Sequence, residues 1–171
     1  MAVTFIQDAA GARALGDALR HVSSLAVDCE AAGFHRYSDR LCLVQLSTES
    51  RTYVLDPLAV DLAPVLKDPL EDPAVAVLLH GAAYDLRLLH RDLGLFVHGL
   101  VDSQVAASLL GEAGISLQAL LERHLEVRLS KKHQRADWAR RPLSEEMLEY
   151  AANDTRYLHP LTERLSELLV H

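Results

Sequence analysis

The sequence predicts an α/β domain in which a mixed sheet is flanked by helices, and three observations carry that reading. The 171 residues are 50% hydrophobic and 24% charged, enough for one domain with a substantial core, since a chain this long buries roughly 70% of the surface it exposes unfolded. Three short apolar runs rich in strand formers follow one another at 25–30, 41–46 and 52–55. Beyond residue 56, apolar runs alternate with stretches of helical spacing, and helices dominate the last third.

In chain order, Ala14, Leu15, Ala18 and Leu19 recur at helical spacing over residues 8–21, with Asp8 placed to cap the start. The run at 25–30 is a strand that passes through Gly33 into a polar loop, 35–40. Strands at 41–46 and 52–55 follow, the latter ended by Asp56-Pro57, as expected for hairpin-connected neighbours. A short helix is expected at 58–66, a buried strand at 75–79, and a helix through Leu86, Leu89 and Leu93 that closes at Gly94. A strand at 97–101 leads to helices at 102–110 and 116–124. Residues 126–142 lack clean periodicity, and 144–169 read as helix broken or bent at Pro160.

This composition excludes disordered, collagen-like and disulfide-scaffold classes. Cys29 and Cys42 lie inside strand runs and read as buried thiols of a reducing compartment. The N-terminus carries no leader or lipidation signal, and no apolar run approaches the roughly 20 residues that span a bilayer, so a soluble cytoplasmic protein with no membrane partner is expected. The nine histidines show no zinc spacing with the two cysteines. Asp102 reads as a helix cap, Asp56 as a turn residue and His80 as a hydrogen-bonded strand end. Seventeen Lys and Arg against 24 Asp and Glu leave a net charge of −7, which by itself argues against a phosphate backbone as ligand.

The acids are distributed unusually. Asp28 and Glu30 are two apart on a strand, so both leave the same face while Cys29 leaves the other. Asp85 stands at the edge of the stripe that helix 86–93 turns to the core. On the last helical stretch, Met147, Tyr150, Ala151, Asp154 and Leu158 share one face with no Lys or Arg on it. Taken singly, each acid has an ordinary explanation at a strand end or a helix start. Three elements aiming carboxylates inward form a constellation, because buried like charges need a cation, and hard oxygen ligands select Mg²⁺ or Mn²⁺.

These residues also resemble a family. Val27-Asp28-Cys29-Glu30-Ala31-Ala32-Gly33, then residues 80–89 (HGAAYDLRLL), then Tyr150-Ala151-Ala152-Asn153-Asp154 are similar to the three exonuclease motifs of the ribonuclease D type, the tyrosine branch of the DEDD 3'-5' exonucleases. Residues 129–138 (LSKKHQRADW) followed by Arg141-Pro142-Leu143 resemble the segment before the third motif. The resemblance implies a ribonuclease H-like fold with a five-stranded mixed sheet. It also implies a single catalytic domain over 1–171 without accessory helical nucleic-acid-binding domains. Its metal ligands fall on Asp28, Glu30, Asp85 and Asp154 and its catalytic tyrosine on Tyr150; Ala136 stands where the family usually has Ser or Thr.

The implied reaction is two-metal hydrolysis at the 3' end of single-stranded RNA, releasing nucleoside monophosphates. Tyrosine, with a pKa of about 10, is a poor base at neutral pH, so Tyr150 is expected to orient the attacking water. Gly33 and Phe34 are placed to meet the terminal nucleotide, and Lys131, Arg135 and Trp138 are candidates for the strand path. Alternatives stay open: an enzyme for dinucleotides and very short RNA, a single-strand DNA exonuclease, or a non-catalytic binding scaffold, with a second copy of the chain as a candidate partner. Charge fits better once divided, because residues 123–141 hold seven Lys or Arg against two acids, a basic strip beside an acidic cleft.

Overall fold

The computed structural model describes residues 2–33 and 37–170. Six strands occur among them: β1 (Val3–Ile6), β2 (Ser24–Ala31), β3 (Leu41–Ser47), β4 (Thr52–Leu55), β5 (Ala76–Leu79) and β6 (Leu100–Asp102). They form one sheet in the order β1-β4-β3-β2-β5-β6. Only β3 runs against its neighbours; β1 is parallel to β4, and β2, β5 and β6 are mutually parallel, so the sheet is mixed. The expected five strands become six because β1 joins at the margin. Its four residues, Val-Thr-Phe-Ile, are strand formers, but so short a run shows no alternation that would separate it from a lead-in to a helix.

The helices are α1 (Ala9–Leu19), α2 (Ala63–Glu71), α3 (Ala83–Leu93), α4 (Ser103–Leu109), α5 (Leu117–Leu125), α6 (Glu145–Arg156) and α7 (Leu158–Val170). Three placements differ from the periodicity, one being the strand expected at 97–101, which forms only as β6. The helix expected at 58–66 starts only at Ala63, because the Asp56 carboxylate accepts from Leu58 N at 3.0 Å and holds the preceding residues in a turn. The final helical stretch breaks at Tyr157, three residues before Pro160, which thereby occupies the first turn of α7, where a missing N–H costs nothing. Gly94 closes α3 in the left-handed conformation at φ 67°, as its position predicts.

Leucines of α1, α2 and α3 pack on one face of the sheet against Val27, Val44, Leu46, Leu55, Val77 and Leu79. On the other face, α4, α5 and α7 cover Ala26 and Leu78, while α6 and Trp138 cover Cys42, Leu43 and Val54. Both cysteines are free and buried, as expected. No helix among the described residues is long and apolar enough to cross a membrane.

Two features of this framework shape the face of the sheet that carries the acids. Strand β2 pairs with β5 only over Ser24–Ala26 and with β3 over Ala26–Ala31, so its last residues part from β5 and leave a notch. Arg141 locks the aperiodic segment before α6 onto the sheet. Its guanidinium donates to both Asp56 oxygens at 2.9 Å, to Cys42 O at 2.8 Å and to Trp138 O at 2.6 Å. Asp56 is therefore a turn residue and also a buried ion-pair partner.

Candidate metal centre and nucleic-acid cleft

The notch is where the acids meet. Alternation on β2 puts Asp28 and Glu30 on one face, and α6 lies across that face, its contacts shared among β3, β4 and β2. Ser144 caps α6 by accepting from Met147 N at 3.1 Å, which sets its phase so that Tyr150 and Asp154, one turn apart, point at β2. One oxygen each of Asp28, Glu30 and Asp154 lies within 4.8 Å of the others. That trio is a half-buried set of hard oxygen donors, and no Lys or Arg is paired with it among the described residues, so it fits a divalent cation.

Asp85 stands just outside the trio. It is buried, beside Asp28, and its Oδ1 accepts from Cys29 N at 3.1 Å. Its helix is aimed by Asp102, the last residue of β6. That carboxylate accepts from Gly81 N at 3.0 Å, Ala82 N at 2.9 Å and Gln104 N at 2.9 Å, joining the starts of α3 and α4. Gly81 takes φ 69° in this turn, a conformation glycine adopts without strain. Burial works against the Asp102 charge, but these backbone donors outweigh it and hold the carboxyl below its ordinary range. His80 is occupied at both ring nitrogens, by Ser103 Oγ at 2.7 Å and Ile115 O at 2.8 Å, so it is a joint of the fold.

The electrostatics reflect four acids in one place. Burial, then the neighbouring carboxylates, pushes Asp28 and Glu30 well above the usual carboxylate range. Burial raises Asp85 to about 7 and Asp154 to about 6. Burial and then the charges of Asp154, Glu30 and Asp28 push the Tyr150 hydroxyl to about 12, so it stays protonated at neutral pH and offers a donor.

Stability is thereby linked to pH. Asp85 and Asp154 have folded pKa values above the ordinary 3.8, so the folded chain holds more protons between about pH 4 and pH 7. Without metal, the stability tied to these groups is full below about pH 4 and is lost as pH rises through 6 and 7. A loss on the order of 2 kcal/mol corresponds to roughly 4–8 °C in melting temperature for a chain this size. Divalent ions bound by these carboxylates would take the place of those protons, so the slope should flatten in excess Mg²⁺ and persist in EDTA. Identical pH slopes in the two buffers would show that these acids hold no metal.

The carboxylates open into a cleft of about 750 Å³ whose walls include Gly33, Tyr84, Ser116, Leu117, Gln118, Ser130, Gln134, Ala136, Trp138 and Tyr150. Gly33 thus lines the cleft, whereas Phe34 lies outside the described residues. Lys131 and Arg135 are exposed and do not line the cleft; the neighbouring Ser130 and Gln134 do. Trp138 is only 2% exposed and stacks on Tyr150 at 6.2 Å between ring centroids, so it backs the tyrosine as well as touching the cleft. Nor is the basic strip a row of open cations. Arg123 pairs with Glu112, Arg128 with Glu122, Lys132 with Glu146 and Arg141 with Asp56.

Sequence reasoning missed Tyr84 and Gln45. Tyr84 is 43% exposed at the lip of the cleft, with the Arg87 guanidinium 4.9 Å from its ring centre. Gln45 had a visible signal, as one amide in the apolar run 41–46, and it lies buried against Glu30 and Asp154.

A family model described as 3'-5' exonuclease matches residues 3–170. The exosome complex exonuclease RRP6 of Saccharomyces cerevisiae is 37% identical over 153 residues, 89% of this chain and 21% of that protein. The chain thus spans about a fifth of the length of this curated relative. Among solved structures, the catalytic core of RRP6 from Trypanosoma brucei superposes with a TM-score of 0.91 at 34% identity, covering 99% of this chain and 47% of that one. Escherichia coli RNase D, described as an exoribonuclease involved in structured RNA processing, gives 0.91 at 30% identity, covering 98% and 45%. Brucella melitensis NrnC bound to pGG gives 0.83 at 28% identity, covering 99% and 82%; the same protein with bound Mg²⁺ gives 0.82 at 27%, covering 99% and 83%.

Proposed function

The chain belongs to the 3'-5' exonuclease family, and from that premise we propose that it removes nucleoside monophosphates from the 3' end of single-stranded RNA with the help of divalent metal ions. The observation that carries this reading is the trio of carboxylate oxygens from β2 and α6, mutually within 4.8 Å at the floor of an open cleft. A pair of Mg²⁺ or Mn²⁺ ions, when bound, supplies an acidified attacking water and stabilises the departing 3' oxygen.

Asp28, Glu30 and Asp154 would hold the ions where the water is activated, and Asp85, beside Asp28, would support them where the 3' oxygen departs. Tyr150 keeps its proton, and its hydroxyl donates to align the attacking water. Trp138 and His133 hold the tyrosine ring from its face and its edge, with centroids 6.2 and 5.7 Å away. Gly33, having no side chain, leaves room at the lip for the terminal nucleoside. Tyr84 offers an aromatic surface for a base to stack on. Ser130 and Gln134 supply neutral hydrogen-bonding groups along the wall, in place of Lys131 and Arg135, which face solvent at the rim.

The test is product analysis on 5'-labelled RNA with Mg²⁺ or Mn²⁺, on strands from dinucleotides to 20-mers and on matched DNA. A descending ladder on RNA is the expected result, and intact RNA in both metals would overturn the reading. A second reading, an enzyme for dinucleotides and very short RNA, draws support from the similarity to a structure solved with pGG. Faster turnover of the dinucleotide than of the 20-mer would select it.

A further inference from the structure

We propose that Gln45 is a positioning residue that holds Glu30 and Asp154 in their ligating orientation. This role rests on the metal-site reading of the same acids. Gln45 interrupts the apolar run Leu41, Cys42, Leu43, Val44 and Leu46 of β3, whose last residue, Ser47, is its other polar side chain. It faces Asp28 directly across the β2–β3 ladder, so its side chain leaves the sheet on the face that carries the acids. It is 0% exposed. Its Nε2 donates to Asp154 Oδ2 at 3.3 Å and to Glu30 Oε1 at 3.5 Å, while its Oε1 has no hydrogen-bond partner.

Burying an amide with an unpartnered oxygen is costly, and an unbranched apolar side chain of similar length would avoid that cost in this strand. The cost is offset at the other end of the same amide, where two donor hydrogens meet two carboxylates that also lie against other acids. Each carboxylate has two oxygens. With one oxygen of each tied to Gln45, rotation of both carboxyls is restricted, and both residues line the cleft. A second polar rung supports the same alignment. Ser47, two residues along β3, meets Thr155 Oγ1 at 2.8 Å, fixing α6 on the strand one residue beyond Asp154. Ser47 sets where the helix lies along β3, and Gln45 sets how its carboxylate points. Partners of this kind, bonded to ligands and not to the ion, orient the ligands and carry part of the affinity.

The experiment is calorimetric titration of the whole chain with Mn²⁺ alone, alongside kcat and KM on 5'-labelled RNA and thermal melts without metal. Gln45→Met should weaken Mn²⁺ binding about 10- to 100-fold and lower kcat at fixed Mn²⁺, with KM for RNA unchanged. Gln45→Asn keeps an amide but draws it back by one methylene, and it should show the same loss; it carries the test if the Met variant fails to fold. A folded variant that binds Mn²⁺ as the wild type does, and only melts lower, would make Gln45 an ordinary buried side chain and overturn the proposal. Asp28→Asn separates the two levels. If wild type takes up no Mn²⁺, or if Asp28→Asn takes it up equally well, the metal reading itself falls; if only the Gln45 variants bind normally, that reading survives and the positioning role does not.

Discussion

Asp28→Asn is expected to abolish the exonuclease ladder, slowing single-turnover cleavage on the order of 10³-fold, while leaving the metal-free protein at least as stable as the wild type. The two halves come from one geometry. Asparagine keeps the shape of the side chain but removes the charge that the proposed reaction uses. Metal activation of a water and of a leaving oxygen is worth several kcal/mol, and each 1.36 kcal/mol is tenfold in rate. In the folded chain, burial, Asp154, Asp85 and Glu30 all oppose ionisation of Asp28, so removing its carboxyl relieves its neighbours. A variant that loses activity without melting earlier cannot be dismissed as misfolded. Rapid-quench kinetics beside calorimetric melts in EDTA check both halves, and an unchanged ladder would remove Asp28 from the chemistry.

The second large effect concerns stability. Arg141→Met should cost about 3 kcal/mol, or roughly 6–12 °C in melting temperature, because it strands a buried carboxylate. Asp56 is 4% exposed, and three backbone carbonyls, of Cys42, Trp138 and Arg140, lose a donor as well. The low end of the range for broken buried pairs is appropriate, since the Arg141 side chain keeps 26% of its surface in water. The double variant Asp56→Leu with Arg141→Met should recover part of the loss, as removing both partners leaves no uncompensated charge. Because Arg141 fixes Trp138, and Trp138 backs Tyr150, kcat should fall in the single variant even well below its melting point. Denaturant melts and steady-state rates read these effects, and a shift under about 2 °C would show that the ion pair carries no net stability.

How much of the fold and the site was legible in the sequence varied with the physical signal. Asp28, Glu30, Asp85, Tyr150 and Asp154 stood out because acids on packing faces contradict the pattern that makes the elements readable, and the structure brings them to one notch. The margin strand β1 was missed because four residues give no period. Lys131, Arg135 and Trp138 lie in the aperiodic segment, where side-chain direction is set by long-range anchors such as Arg141 to Asp56, 85 positions apart in sequence. No local spacing encodes that contact, so a count of charges there suggested an open basic strip, whereas four of those cations are paired. Asp56 reads correctly as a turn residue from its neighbour Pro57, and its second role is invisible for the same reason.

The parting of β2 from β5 has a consequence for solubility. A strand that leaves its neighbour exposes backbone donors and acceptors, an unpaired edge that another chain can extend. At Cys29 the outward N–H is taken by Asp85, so a carboxylate side chain occupies the place of the missing strand. The acid proposed to support the ions is therefore also a plug against strand addition. Substituting Asp85 is expected to free the Cys29 N–H for another strand, so the oligomeric state of any Asp85 variant has to be measured before its rate is interpreted.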